Sequence, residues 1–180
     1  MRTFLIILAI VSGFNSLSQG KYITRNGMIE FNASSPLEKI NPVNNHVSCI
    51  LDTETGKIAF QLKMISFKFE RALMEEHFNE KYVDSEKYPT STFIGSIVDW
   101  SNIDLKSKHQ NVKAKGILTI HGVDKQIEVS GTINSSKNII QINSGFDIYL
   151  SDYNVKIPNL VKDKISEKVS ILLEMKLQPK

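Results

Sequence analysis

The sequence predicts an all-β protein, an antiparallel barrel of about eight strands with one inserted amphipathic helix. Short runs of alternating apolar and polar residues are typical of strands with one buried face. Turn-forming residues separate these runs at the spacing of hairpins. One central stretch instead has apolar residues at helical spacing. A barrel is favoured over a sandwich because closure of a sheet removes its exposed edges.

The first residues predict a secretory signal peptide. Arg2 precedes the apolar run Phe4 to Val11, and Ser16 and Ser18 are small residues at the positions that a signal peptidase reads. The apolar run is far shorter than the roughly 20 residues that cross a bilayer, so no stable membrane insertion is expected. We expect cleavage after Ser18, a single domain over residues 19–180, and a periplasmic or secreted protein.

In the first half of the chain, Tyr22 to Arg25 and Met28 to Ala33 flank Asn26 and Gly27, a dipeptide that accepts the positive φ angles of a type I′ hairpin. A further strand is predicted over Asn45 to Leu51, before a five-residue turn cluster.

The clearest strand runs from Lys57 to Phe69. Ile58 and Leu62 share its apolar face, and the alternation breaks at Ile65 and Ser66, where we expect a bulge or a corner.

The stretch from Glu70 to Gly95 begins with the predicted helix and ends as a turn into a strand. Leu73 and His77 fall on neighbouring positions of this helix, with Met74 and Phe78 one turn away, and the helix is expected to cap the barrel. Six further strands are predicted over Thr92 to Trp100, Asn111 to His121, Gln126 to Ile133, Asn138 to Ser144, Phe146 to Leu150 and Val169 to Leu177. Hairpins are predicted at Gly122 to Lys125 and at Asn134 to Lys137.

Charge and cysteine content exclude several classes of protein. The net charge is +3 with the lysines spread along the chain, so nucleic acid is not an expected partner. Cys49 is the one cysteine and cannot form an internal disulfide. It alternates with Val47 and Leu51, which predicts a small buried hydrophobe, with a reactive thiol or an intermolecular bridge as the alternative. A homodimer is left open.

The sequence predicts no enzyme. Histidines 46, 77, 109 and 121 lack the short local spacings that metal sites show. No nucleophile elbow occurs, and neighbouring carboxylates such as Glu75 and Glu76 suit a solvated face better than an acid–base pair. We therefore expect no catalytic residues, no metal and no cofactor.

The remaining signal is the placement of large apolar residues. These side chains are predicted to point inward and either to fill the barrel or to leave a tunnel for an apolar ligand. They are Phe60, Leu62, Met64, Phe67, Phe69, Phe93, Leu118, Ile120, Phe146, Ile148 and Leu173.

Two motifs resemble the YceI-like family, and the resemblance runs over nearly the whole chain after the signal. The first matches the pattern EHFNxxYxxSxxYPxxxFxG of that family at Glu76, His77, Phe78, Asn79, Glu80, Lys81, Tyr82, Ser85, Tyr88, Pro89, Phe93 and Gly95. The second is similar to the pattern GxLTxHGVxK at Gly116, Leu118, Thr119, Ile120, His121, Gly122, Val123 and Lys125.

The resemblance implies a lipocalin-like barrel that holds a polyisoprenoid, such as an isoprenoid quinone, in a tunnel lined by the eleven inward residues above and by Leu73 and Phe78 of the helix. The hydroxyls of Tyr82, Tyr88 and Tyr149 are candidate contacts for a polar head. Leu73, His77 and Phe78 are then expected to seat the helix against the barrel, with His77 as a structural hydrogen-bonding residue. Many relatives carry a histidine in the first hairpin, where this chain has Arg25 to Met28. The alternative is a secreted barrel with a packed interior that serves as a structural or interaction module.

Overall fold

The chain forms a closed barrel of eight antiparallel strands in a computed structural model that describes residues 20–180 except 106 and 108. Each strand pairs with the next along the chain, and the last pairs with the first. The predicted fold class is confirmed, whereas the predicted signal peptide lies outside the described residues. The strands are β1 (Lys21–Asn32), β2 (Val43–Asp52), β3 (Lys57–Lys63), β4 (Thr90–Ile97), β5 (Gln110–Ile120), β6 (Val123–Ser136), β7 (Ile139–Tyr149) and β8 (Lys168–Pro179).

The hairpin predicted at Asn26 and Gly27 is wrong. Both residues lie inside β1, and neither has the positive φ angle that a type I′ turn requires. The pairing of β1 with β2 instead shifts register between Thr24 and Gly27, which makes the dipeptide part of a β-bulge. Both halves of β1 pair with β2 and with β8, so the chain does not fold back on itself here.

The strands predicted over Asn138 to Ser144 and Phe146 to Leu150 are one strand, β7. Its pairing with β8 is continuous from Ile140 to Tyr149, so Gly145 does not interrupt it. The two predicted hairpins exist, with two-residue turns that lie within a few residues of the predicted positions. His121 and Gly122 have φ angles of 52° and 72°, and Lys137 and Asn138 have 51° and 61°.

Strand β3 ends at the predicted corner. A 3₁₀ turn covers Met64–Ser66, and Lys68 then pairs with Val43 through backbone hydrogen bonds of 2.8 and 3.1 Å. The predicted helix follows as α1 (Ala72–His77), which continues into a π-helical turn over Phe78–Tyr82. Within the described part of the chain, no helix is long and apolar enough to span a membrane.

The two ends of the barrel differ in how they are covered. The long connections 33–42, 64–89 and 150–167 meet at one end, which we call the helix end because it carries α1. At the opposite end, Trp100 Nε1 donates a hydrogen bond of 2.8 Å to the carbonyl of Thr53. The Trp100 ring covers Gly56, where a Cβ would lie 2.5 Å from Trp100 Cγ. We call this the Trp100 end.

Apolar side chains fill the barrel at the Trp100 end. Leu51, Ile133, Ile140 and Leu177 are all 0% exposed. They come from β2, β6, β7 and β8, so the packing crosses the barrel rather than coating one wall. We call these four residues the floor.

Candidate binding site

A cavity of about 480 Å³ occupies the barrel between the floor and the helix end. Its size falls within the roughly 300–1,000 Å³ that is typical of small-molecule sites. All eight strands contribute to its wall, because each strand directs alternate residues inward. The barrel interior is therefore packed at one end and hollow at the other.

All of the side chains that the sequence predicts as the apolar lining reach this cavity. Period-two alternation places a side chain correctly even where the ends of a strand are misjudged by a few residues. The cavity wall includes Phe60, Leu62, Met64, Phe67, Phe69, Leu73, Phe78, Phe93, Leu118, Ile120, Phe146, Ile148 and Leu173.

The three tyrosines proposed as head-group contacts have different positions. Tyr82 lines the cavity, and burial raises the pKa of its hydroxyl. Tyr88 lies outside the cavity wall and packs edge-on against His121, with ring centroids 4.5 Å apart. Tyr149 is 52% exposed on the outer surface, because Ile148 beside it takes the inward position. Tyr82 alone of the three can reach a molecule in the cavity.

An aromatic cluster beneath α1 contains one residue that the site prediction missed. Phe31 lies 5.1 Å from Phe67 and 5.5 Å from Phe78 between ring centroids, and Phe69 lies 5.1 Å from Phe78. Aromatic rings at these distances gain stability beyond the burial of their area. The alternation of Ile29 with Phe31 is the signal that could have found it.

Two serine hydroxyls of the cavity wall have backbone partners. Ser91 Oγ donates a hydrogen bond of 2.6 Å to the carbonyl of Thr119. Ser144 Oγ donates one of 2.7 Å to the carbonyl of Ser130. A satisfied hydroxyl exposes little unmet polarity, so these two serines add little polarity to the wall.

The rim at the helix end carries the charges. Arg71, just before α1, pairs with Glu38 of the β1–β2 connection, and Lys164 also borders the cavity. Lys68 Nζ lies 2.6 Å from Glu75 Oε1, which holds the pKa of that carboxyl below its usual range. These pairs tie α1 to the barrel and put water-compatible groups at the opening.

His77 lies on the cavity wall at this rim. Its ring makes no hydrogen bond within the described residues, so the structural hydrogen-bonding role expected for it is not seen. His121 does have such a contact, 3.1 Å from Nδ1 to the carbonyl of Tyr153. Among the residues described, no three His, Cys, Asp or Glu side chains are grouped where they could hold a metal ion.

A closed barrel with an apolar cavity that opens beside a helix defines the class of small lipocalin-like barrels. The chain belongs to the YceI-like domain family, whose model matches residues 25–177. No match was found among curated proteins.

Solved structures share the fold at low sequence identity. A polyisoprenoid binding domain from Saccharophagus degradans, implicated in plant cell wall breakdown, is similar with a TM-score of 0.77 and 15% identity, over 89% of this chain and 99% of that one. BcnA of Burkholderia cenocepacia is similar with a TM-score of 0.70 and 16% identity, over 84% of this chain and 95% of that one. A Campylobacter jejuni YceI protein is similar with a TM-score of 0.53 and 18% identity, over 97% of this chain and 90% of that one.

Proposed function

We propose that this chain is a non-enzymatic protein that holds a polyisoprenoid or a similar long apolar lipid, of the isoprenoid quinone type, inside its barrel. The observation that carries the proposal is the apolar cavity of about 480 Å³, closed at the Trp100 end and bordered by charges at the helix end. Such a site suits a molecule with an apolar chain and a polar head. The similar fold of a polyisoprenoid binding domain supports the same ligand class.

The physical driving force is burial of hydrocarbon. Each buried methylene contributes roughly 0.8 kcal/mol, so a chain of many carbons gains far more in the cavity than any single hydrogen bond provides. Binding then needs shape and apolarity and few polar anchors. Transport, storage or sequestration of the lipid would all use the same property.

The packed-barrel alternative predicts side chains throughout the interior. Here the fully buried floor accounts for one end only, while large side chains such as Phe60 and Phe93 stand around the hollow. Their ring centroids are 6.0 Å apart across neighbouring strands rather than interdigitated across the barrel. The geometry therefore favours a ligand over a structural module.

Export is part of the proposal and rests on the signal peptide expected over residues 1–18. Fractionation of cells that produce the full chain should find the protein outside the cytoplasm, shortened by that segment. A variant that lacks residues 2–18 should stay in the cytoplasm at full length. Retention of the full-length protein inside the cell would overturn this part alone.

Lipid extraction tests the binding function. Protein purified without detergent from the organism that makes it should release a prenyl lipid in near-stoichiometric amount into organic solvent, and native mass spectrometry should show the same adduct. Lipid-stripped protein should take up a prenyl quinone. Absence of both the adduct and the uptake would overturn the proposal.

A further inference from the structure

The cavity ends at a defined depth, and four strands mark that depth independently. On β8, Leu173 and Met175 line the cavity but Leu177 does not. On β7 the deepest lining residue is Ile142, and Ile140 lies below it. Residues Leu51 of β2 and Ile133 of β6 likewise lie beyond the last lining position of their strands.

The four floor residues close the cavity, because none of them has accessible surface. All four are 0% exposed, and Ile140 pairs directly with Leu177 across β7 and β8. Met175 stands on top of the floor, paired with Ile142 and 1% exposed. The side chain of Met175 also fills the space beside Gly27, where a Cβ added to Gly27 would lie 2.1 Å from Met175 Sδ. Met175 therefore closes the bottom of the cavity from the wall of β8 to the bulge of β1.

The volume above this closure sets a carbon count. An apolar cavity of about 150 Å³ binds benzene, which has six carbons, so each carbon needs about 25 Å³. At that ratio the 480 Å³ of this cavity holds about 19 carbons, or nearly four isoprene units of five carbons. Units beyond the fourth exceed the volume of the cavity.

We propose that the floor and Met175 limit the length of prenyl chain that this barrel buries to about four isoprene units, with any further units left in solvent beyond the helix end. This inference rests on the proposed function and makes it more specific. The protein then selects lipids by the length of their buried segment. The residues that set this length lie at the end of the barrel farthest from the lipid head group.

A series of prenyl alcohols tests the limit. Alcohols of two, three, four, five and nine units would compete with a fluorescent apolar probe, N-phenyl-1-naphthylamine, on the lipid-stripped full barrel. Affinity should rise at least about tenfold per unit up to four units, because each unit buries new hydrocarbon, and less than about twofold per unit after that. A steady rise from four to nine units would overturn the length limit. Failure of every alcohol to bind would overturn the proposed function itself.

Variants move the limit in opposite directions. Met175→Ala removes the closing side chain, so the affinity for five units over four should rise several-fold. Ala114→Phe fills part of the cavity from β5 and should move the plateau to about three units. Leu172→Ala is the matched control, because it also shortens an apolar side chain of β8 but does so on the outer face, where Leu172 is 56% exposed. An unchanged plateau in a folded Ala114→Phe or Met175→Ala protein would overturn the assignment.

Discussion

The side chain of Met175 occupies the space that a Cβ on Gly27 would need, with only 2.1 Å between that position and Met175 Sδ. Gly27 sits in the bulge of β1, and Met175 lies on the neighbouring strand β8. The bulge therefore has a packing role, since it lets a long side chain close the cavity from the neighbouring strand. The carbonyl of Val47, 3.1 Å from the same position, leaves a new Cβ little room to move.

Gly27→Ala should destabilise the barrel by about 1–3 kcal/mol, because overpacking forces Met175 or the backbone of β1 to shift. Urea unfolding of the wild type and the variant measures this cost. In a Met175→Ala background the same substitution should cost at least about 1 kcal/mol less, which a double-mutant cycle detects. Additive costs would show that the two positions do not compete for one space.

The sequence predicts the barrel and its inward side chains well because both follow from strand geometry. Alternation decides which face a residue occupies, so Phe60 and Leu118 reach the cavity although strand limits shift by several residues. The Asn26 and Gly27 error has a different origin. The dipeptide is a local hairpin signal, but pairing of both its flanks with β2 and β8 is a long-range interaction that no local pattern reveals.

The hollow itself could not be predicted from the residues. A packed and an open barrel need the same apolar inward positions, and they differ only in how side-chain volumes add up across strands. Small inward residues such as Ala114 and Gly131 widen the cavity, whereas Leu177 and Ile140 meet and fill the floor. That difference depends on which residues lie at equal height in the closed barrel.

Leu118→Arg should abolish lipid uptake or folding, because it places a charge on the apolar cavity wall, where Leu118 is 8% exposed. Ile117→Arg is the matched control, since Ile117 is the preceding residue of β5 and is 49% exposed on the outer face. We expect the control to change the unfolding free energy by no more than about 0.5 kcal/mol. Circular dichroism separates loss of folding from loss of uptake. A folded Leu118→Arg protein that still binds lipid would contradict the inward assignment of β5.

Tyr153 should be the last tyrosine to ionise. It is 2% exposed, and burial together with the nearby charge of Asp152 raises its pKa to about 12. Its pKa is higher folded than unfolded, so its contribution to stability is complete below about pH 10 and is lost as the pH rises from about 10 to about 12. The loss amounts to about 2–3 kcal/mol.

Ultraviolet absorbance of the phenolate follows this titration. Tyr153→Phe should lack the late ionisation step and lose less stability above pH 10. Tyr149→Phe, a change at an exposed position, should keep the late step and the full loss of stability. Ionisation of all tyrosines in one step near pH 10, in folded protein, would contradict the burial of Tyr153.

Asp147 should contribute to stability near neutral pH and lose that contribution in acid. Lys168 Nζ lies 2.7 Å from Asp147 Oδ2, and the Ser170 hydroxyl donates a hydrogen bond of 2.6 Å to Oδ1. These bonds, that from Lys168 foremost, lower the pKa of Asp147. A lowered folded pKa means stability that is present above about pH 4 and lost as the pH falls through the folded value.

Urea midpoints at pH 7 and pH 3 test this. Asp147→Asn should lose stability at pH 7 and show a smaller drop on acidification than the wild type. Asp163→Asn makes the same charge change at an exposed position and should leave the drop unchanged. The stability difference between wild type and Asp147→Asn should be small, because the Asp147–Lys168 ion pair is exposed to solvent and salt. Equal acid sensitivity of the wild type and Asp147→Asn would contradict it.

Cys49 should react with thiol reagents only when the barrel opens. It is 3% exposed among the inward residues of β2, and burial raises the pKa of its thiol. The thiolate is the reactive form, so both access and ionisation oppose attack. Labelling by dithionitrobenzoate at pH 8 should therefore be at least about a hundredfold slower in native protein than in denaturant. Cys49→Ser supplies the blank. Rapid native labelling, or a disulfide-linked dimer formed under mild oxidation, would instead favour the exposed reactive thiol that the sequence left open.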